Sequence, residues 1–257
     1  MSDIALFIHS TATGPFMWAP FMRDCPQGVQ AITPVNRGYS PNDVLPRGTA
    51  FTVMQEVQHL KAQIPADATG VHLVAHSYGG FAALTLAQQA GLPIRSLCLV
   101  EPVLFGSLRA EVDSLAPELV DQMARLYGAP NYLLDENIGG SEEWIERFVD
   151  YWNRPGMWAL MPDKAKAMTR MVGWKMFQEV RMVSTEPKPF AHYSVDVPLT
   201  LIYGEHTTAP AKEMIRRLAE VNPHAHVDML PGQGHMAVVA APETLMPALA
   251  GHWARVQ

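Results

Sequence analysis

Short apolar runs alternate with longer amphipathic stretches along most of this chain. Residues 4–9 (Ile-Ala-Leu-Phe-Ile-His) are nearly all apolar, as expected of a strand covered on both faces. Residues 29–35, 71–75, 94–101, 197–203 and 225–230 give five further strand candidates. Residues 51–64 predict a helix with Val53, Val57, Leu60 and Ile64 on one face, and Thr52 and Gln55 stand at capping-box spacing at its start. A small-residue helix after residue 77 is expected to stop at Gly91. Residues 209–221 and 243–253 read as two more helices. Strands separated by helices imply parallel crossovers, hence an α/β chain with a doubly wound, mostly parallel six-stranded sheet.

The alternation stops between residues 102 and 196. No clear strand is visible there, and the stretch is rich in Trp, Met and Tyr, including Trp144, Tyr151, Trp152, Trp158, Met161, Met168, Met171, Trp174, Met176 and Met182. Pro155-Gly156, Pro162, Gly173 and Pro187-Lys188-Pro189 break it into short helices. The chain is expected to divide into a core, 1–101 and 197–257, and an inserted helical cap, 102–196. Many of the cap's apolar residues would form its own core. An insertion at that point also lies over the carboxyl ends of the strands, where open sheets bind ligands, and a Met- and aromatic-lined underside suits a hydrophobic substrate.

Composition narrows the classes. The 257 residues are 48% hydrophobic and 17% charged, which is the balance of a globular protein with one large core. A formal net charge of −6 without a Lys/Arg cluster disfavours nucleic acid as a partner. No apolar run approaches membrane-spanning length, and the start Met1-Ser2-Asp3 has no basic, signal-like character. The two cysteines, Cys25 and Cys98, read as free thiols, so a reducing cytoplasmic setting is expected. The ten histidines are scattered and make no metal-ligand spacing, so no metal or cofactor is expected. A homodimer is left open.

The most informative run is Val71-His72-Leu73-Val74-Ala75-His76-Ser77-Tyr78-Gly79-Gly80. A strand-to-helix turn of this kind strains the backbone at the serine and lifts its hydroxyl clear of the sheet. It also aims the first N–H groups of the next helix at whatever the serine attacks. Gly79, Ala83 and Ala87 share a face that must approach the sheet closely. A serine hydroxyl needs a base. The candidate is His235, in the Gly-rich loop Pro231-Gly232-Gln233-Gly234-His235 after the last strand.

On these residues the chain resembles the α/β-hydrolase family over its whole length apart from the cap. Ala75-His76-Ser77-Tyr78-Gly79 is similar to the G-x-S-x-G elbow, with Ala in first position. Pro231 to His235 is similar to the catalytic histidine loop, and Val35-Asn36-Arg37-Gly38-Tyr39-Ser40 to the loop after the neighbouring strand. The family's two N-terminal antiparallel strands are absent. The resemblance implies an oxyanion hole made by the backbone N–H groups of Tyr78 and Thr11. The family's usual His-Gly is here His9-Ser10, and Gly is normally what permits the tight turn. The usual acid position, in Tyr203-Gly204-Glu205-His206-Thr207, holds Thr207. Glu101, at the end of the preceding strand, stands where some members such as the haloalkane dehalogenases place their acid. Glu205 and the absence of any carboxylate are the alternatives.

Members that attack with Asp are excluded by Ser77. The expected reaction is therefore hydrolysis of a small-molecule carboxylic ester through an acyl-enzyme. Lactonases and C–C bond hydrolases use the same Ser/His machinery. Hydroxynitrile lyases share Thr11 but carry a Lys after the histidine, where this chain has Met236. A non-catalytic ligand receptor is the remaining class, suggested by Thr207 alone.

Overall fold

The computed structural model of the protein describes residues 2–128 and 132–256. Met1, residues 129–131 of the expected cap and Gln257 lie outside the described residues. Six parallel strands form one sheet in the order β2-β1-β3-β4-β5-β6. They are β1 (Asp3–Ile8), β2 (Val29–Ile32), β3 (Gly70–His76), β4 (Ile94–Val100), β5 (Leu199–Gly204) and β6 (His226–Leu230). The all-parallel sheet without N-terminal antiparallel strands is the fold the sequence predicts. In β1 the side chains alternate between two cores, as strand geometry requires. Leu6 and Ile8 join one, with Val57, Leu60, Phe81, Leu99 and Met214. Ala5 and Phe7 join the other, with Trp18, Phe21, Cys98, Ile202 and Trp253.

On the first face lie α1 (Val53–Lys61), α2 (Tyr78–Ala87) and, after β5, α9 (Ala209–Val221). Between β4 and β5 come α3 (Phe105–Ala110), α4 (Pro117–Tyr127), α5 (Glu142–Trp152), α6 (Met157–Leu160), α7 (Asp163–Met171) and α8 (Gly173–Thr185). After β6 come α10 (Ala237–Ala240) and α11 (Pro242–Val256), and α11 covers the second face through Leu249 and Trp253. Among the described residues no helix is long and apolar enough to cross a membrane. Cys25 and Cys98 are both free thiols.

Several boundaries differ from the pattern. Strand β2 ends at Ile32 rather than Val35, before Pro34, which has no N–H to give the ladder. Helix α1 is shorter at both ends. Thr52 caps it through a complete capping box with Gln55, so Phe51 precedes the helix and Ile64 follows it. Helix α2 ends at Ala87, and Gly91 serves a later turn at φ 81° instead of stopping the helix. The expected close approach does occur at Gly79, where a Cβ would lie 2.6 Å from the Ile8 carbonyl oxygen. That contact fixes the start of α2 against the end of β1.

Candidate active site

Strands β1, β3 and β4 end side by side, and each is followed within about four residues by a residue in the left-handed region. Ala12, Ser77 and Glu101 have φ of 61°, 56° and 45°, and they are the non-glycine residues with positive φ among the described residues. Each such residue costs about 1–3 kcal/mol, so the surrounding packing must hold all three in place. Ser77 is held by its N–H donating to the Val100 carbonyl at 3.0 Å, and Glu101 by its N–H donating to the Ile202 carbonyl at 2.8 Å. At β5, a Cβ on Gly204 would fall 2.4 Å from the Gln233 carbonyl oxygen. The absence of a side chain there lets the 231–235 loop lie across the strand ends and deliver His235.

Ser77, His235 and Glu101 meet in one chain of hydrogen bonds. The Ser77 hydroxyl lies 3.1 Å from His235 Nε2, and His235 Nδ1 lies 2.6 Å from Glu101 Oε2. With Nδ1–H donating to the carboxylate, the Nε2 lone pair faces the serine. Thr207 bonds the carboxylate, and Glu101 is the group bonded to His235 Nδ1. The Thr207 hydroxyl donates to Glu101 Oε2 at 2.6 Å, and the Gly204 N–H donates to Oε1 at 2.8 Å. Burial pushes the Glu101 carboxyl up, but attraction to His235 and the bonds from His235, Thr207 and Gly204 outweigh it. Its pKa therefore lies below the ordinary carboxylate value. Glu205 is exposed, and its carboxylate accepts from the Gly232 N–H at 2.8 Å, tying down the loop that carries His235.

Two neighbours of His235 escape a sequence reading. Trp152, the last residue of α5, stacks on its ring at 3.9 Å between centroids. His76 donates from Nε2 to the His235 carbonyl at 2.9 Å, and burial followed by repulsion from His235 lowers the His76 pKa to about 3, so it stays neutral. Trp152 is one of many aromatics in its segment, and nothing in its spacing marks it.

Thr11 and Tyr78 border the same space as Ser77. The Tyr78 N–H opens α2, where the first four N–H groups lack intrahelical acceptors. Ser10 is not the strained residue of the loop after β1. Ala12 takes the left-handed conformation there, while the buried Ser10 hydroxyl bonds Thr13 at 3.0 Å. His9 braces the loop by accepting the Asn36 N–H at 2.9 Å and bonding the Ser10 carbonyl at 2.9 Å. Burial lowers its pKa to about 4.

A second buried array supports that loop. The Tyr39 hydroxyl accepts the Ala12 N–H at 3.0 Å and donates to Glu179 at 2.7 Å. Lys175 Nζ bridges Glu179 at 2.7 Å and Glu56 at 2.6 Å, with all three side chains fully out of solvent. Tyr78 donates to Glu56 at 3.2 Å, and the ammonium sits 4.4 Å from the Phe51 ring centre. Burial pushes the Glu179 carboxyl up, and Lys175 only partly offsets it. Glu56 sits among apolar residues of α1, where a helix pattern reads it as a solvated position. The pair Lys175 and Glu179, four apart in a run of Trp, Met and Phe, was the available signal.

The space before Ser77 has two parts. A cavity of about 490 Å³ is bordered by Ser77, His235, Trp152 and five methionines, Met157, Met161, Met168, Met171 and Met236. A recess of about 20 Å³ is bordered by Ser77, Tyr78, Phe105, Leu126, Val180 and Val183. Met161, Met168, Met171, Tyr151 and Trp152 thus border this space, whereas Trp144, Trp158, Trp174 and Met176 are buried as packing.

A model described as the alpha/beta hydrolase family matches residues 5–248. No curated protein matches the chain in sequence. Solved structures share the fold. An alpha/beta hydrolase from Sphaerobacter thermophilus is 21% identical at a TM-score of 0.71, covering 98% of this chain and 93% of its own. A haloalkane dehalogenase from Agrobacterium tumefaciens is 17% identical at 0.71, covering 100% and 90%. An enol-lactonase from Burkholderia xenovorans is 14% identical at 0.67, covering 99% and 92%.

Proposed function

The chain belongs to the alpha/beta hydrolase family, and from that premise we propose that it hydrolyses carboxylic esters of small to medium-sized, fairly apolar substrates through an acyl-enzyme on Ser77. The observation that carries this reading is the unbroken contact from Ser77 through His235 to Glu101 at the floor of an apolar cavity.

In the first step the Ser77 oxygen attacks the ester carbonyl carbon while His235 Nε2 takes the hydroxyl proton. Negative charge collects on the former carbonyl oxygen, where the Tyr78 and Thr11 N–H groups act as the oxyanion donors. Glu101, held ionised by Thr207 and Gly204, keeps the imidazole in its tautomer and stabilises the imidazolium. His235 then gives the proton to the leaving alkoxide, the C–O bond breaks, and the alcohol departs. Water, deprotonated by the same nitrogen, attacks the acyl carbon; the bond to the Ser77 oxygen then breaks, His235 returns its proton to that oxygen, and the acid leaves. Residues 102–196 serve as a cap that supplies the apolar walls and excludes bulk water.

A serine nucleophile does not suit dehalogenation by a carboxylate. Met236, which borders the cavity directly after His235, offers no charge to a cyanide leaving group. Hydrolysis of 4-nitrophenyl acetate tests the reading. Turnover by the wild type and its loss in Ser77→Ala support it. Equal release of nitrophenol by both would refute it.

A further inference from the structure

The two parts of the space before Ser77 differ in size and in their relation to His235. The leaving oxygen of an ester must come within hydrogen-bond reach of the imidazole nitrogen that protonates it. His235 borders the large cavity together with Met236, Val239 and Ala240. The recess shares Thr11, Ser77, Phe148 and Trp152 with the cavity but extends to Tyr78, Val180 and Val183, and among the described residues His235 is not part of its wall. The alcohol half of the substrate therefore occupies the large cavity, and the acyl half points into the recess.

Size then sets the chemistry. About 20 Å³ is room for one water-sized group, by the rule that one such group needs about 10–15 Å³. Phe105, Leu126, Val180 and Val183 make the wall apolar and buried, so a methyl group fits there and a longer chain meets packed side chains. The large cavity, at about 490 Å³, falls in the range of sites for drug-sized ligands. Its methionines adapt to irregular apolar shapes. Toward solvent the apolar border continues with the exposed side chains of Phe16, Met168 and Val239.

We infer that the preferred substrates are acetate-sized esters of bulky apolar alcohols. The acetyl group transfers to Ser77 with its methyl in the recess, and the alcohol leaves through the methionine-lined cavity. This rests on the ester-hydrolase reading, and it fixes which half of the ester is large.

The test is a set of esters of 1-naphthol with acetyl, butyryl and hexanoyl groups, alongside methyl hexanoate. The expected kcat/KM falls about 100-fold from naphthyl acetate to naphthyl hexanoate, since added methylenes that do not fit are rejected by factors of this order. Methyl hexanoate is the poorest of the set. Val180→Ala/Val183→Ala, which enlarges the recess, raises the butyrate-to-acetate ratio at least tenfold. If that variant does not fold, the wild-type series decides by itself. A flat or rising acyl series, or methyl hexanoate exceeding naphthyl acetate, overturns the inference while leaving ester hydrolysis intact. No turnover of any ester overturns the inference and the ester-hydrolase reading together.

Discussion

Two buried arrays of charge meet near the elbow of this protein, and they are built from similar parts. Glu101 and His235 with Ser77 form one. Glu56, Lys175 and Glu179 form the other, joined to the elbow through the Tyr78 hydroxyl. The second is fully closed, with each side chain at 0% exposure. The first keeps Ser77 at 6% and His235 at 5%, and both border a cavity of about 490 Å³. That small opening separates the array proposed to be reactive from a closed, architectural one. In the closed array every polar atom is committed to a partner inside the fold, and its loss would leave an unpaired charge out of water. In the open array the His235 nitrogen and the Ser77 oxygen face a space where a substrate can exchange partners with them. The closed array still acts on the chemistry at one remove, because Tyr39 links Glu179 to the Ala12 N–H beside the expected oxyanion donor Thr11.

The contrast predicts opposite signatures for substitutions. Glu101→Gln should lower kcat by about 10³–10⁴-fold, because an amide cannot stabilise imidazolium, while the thermal midpoint moves little. Steady-state kinetics beside calorimetry checks both halves. A large stability loss with modest kinetics would make Glu101 architectural and erase the distinction.

Lys175→Met should do the reverse first. Two carboxylates would be left without their cation, at a cost of about 3–5 kcal/mol in denaturant unfolding. Adding Glu56→Gln to that variant removes one orphaned charge and should recover part of the loss. Unchanged stability in Lys175→Met would mean that the closed array is not closed in solution.

Acid should reveal a third difference. His9, His76 and His252 are neutral in the fold, with pKa values lowered from 6.5 to about 4, 3 and 3, first of all by burial. The unfolded chain takes up these protons as pH falls through 6.5, and the folded chain refuses them. Stability therefore declines below pH 6.5 by about 1.4 kcal/mol per pH unit for each histidine until its folded pKa is reached. Glu101, lowered in the fold, adds to the loss at still lower pH. Denaturant midpoints from pH 7 to pH 4 check this, and His252→Asn should flatten the slope.

The smallest expected effect belongs to Thr207. Thr207→Val deletes one hydrogen bond to a buried carboxylate, worth about 1.5 kcal/mol, and should lower kcat/KM about tenfold. The same change raises the Glu101 pKa, so the acid limb of the rate profile should move to higher pH.

What the chain discloses in advance follows the same division. Ser77 and His235 are legible because each stands in a short motif whose glycines have local reasons. Glu101 is legible as the carboxylate that closes the apolar run of β4, one residue past the strand, although choosing it over Glu205 takes the bond geometry. The six parallel strands follow from apolar runs, whereas their ends depend on Pro34, on the Thr52 cap and on the 231–235 loop crossing Gly204. The closed array is hidden because Glu56, Lys175 and Glu179 come from two helices 119 or more residues apart, and a helix pattern assigns charge to solvent. Trp152 over His235 and the Ala12 turn arise from long-range packing that no local period encodes.

The central claim is that Ser77 is the atom that becomes acylated, with His235 and Glu101 behind it. Intact mass and peptide mapping after treatment with an aryl phosphonate ester test it most directly. One adduct per chain, located on Ser77 and strongly slowed in Glu101→Gln, is the predicted result. A protein that takes up no phosphonate, or takes it up at another residue, would contradict the account.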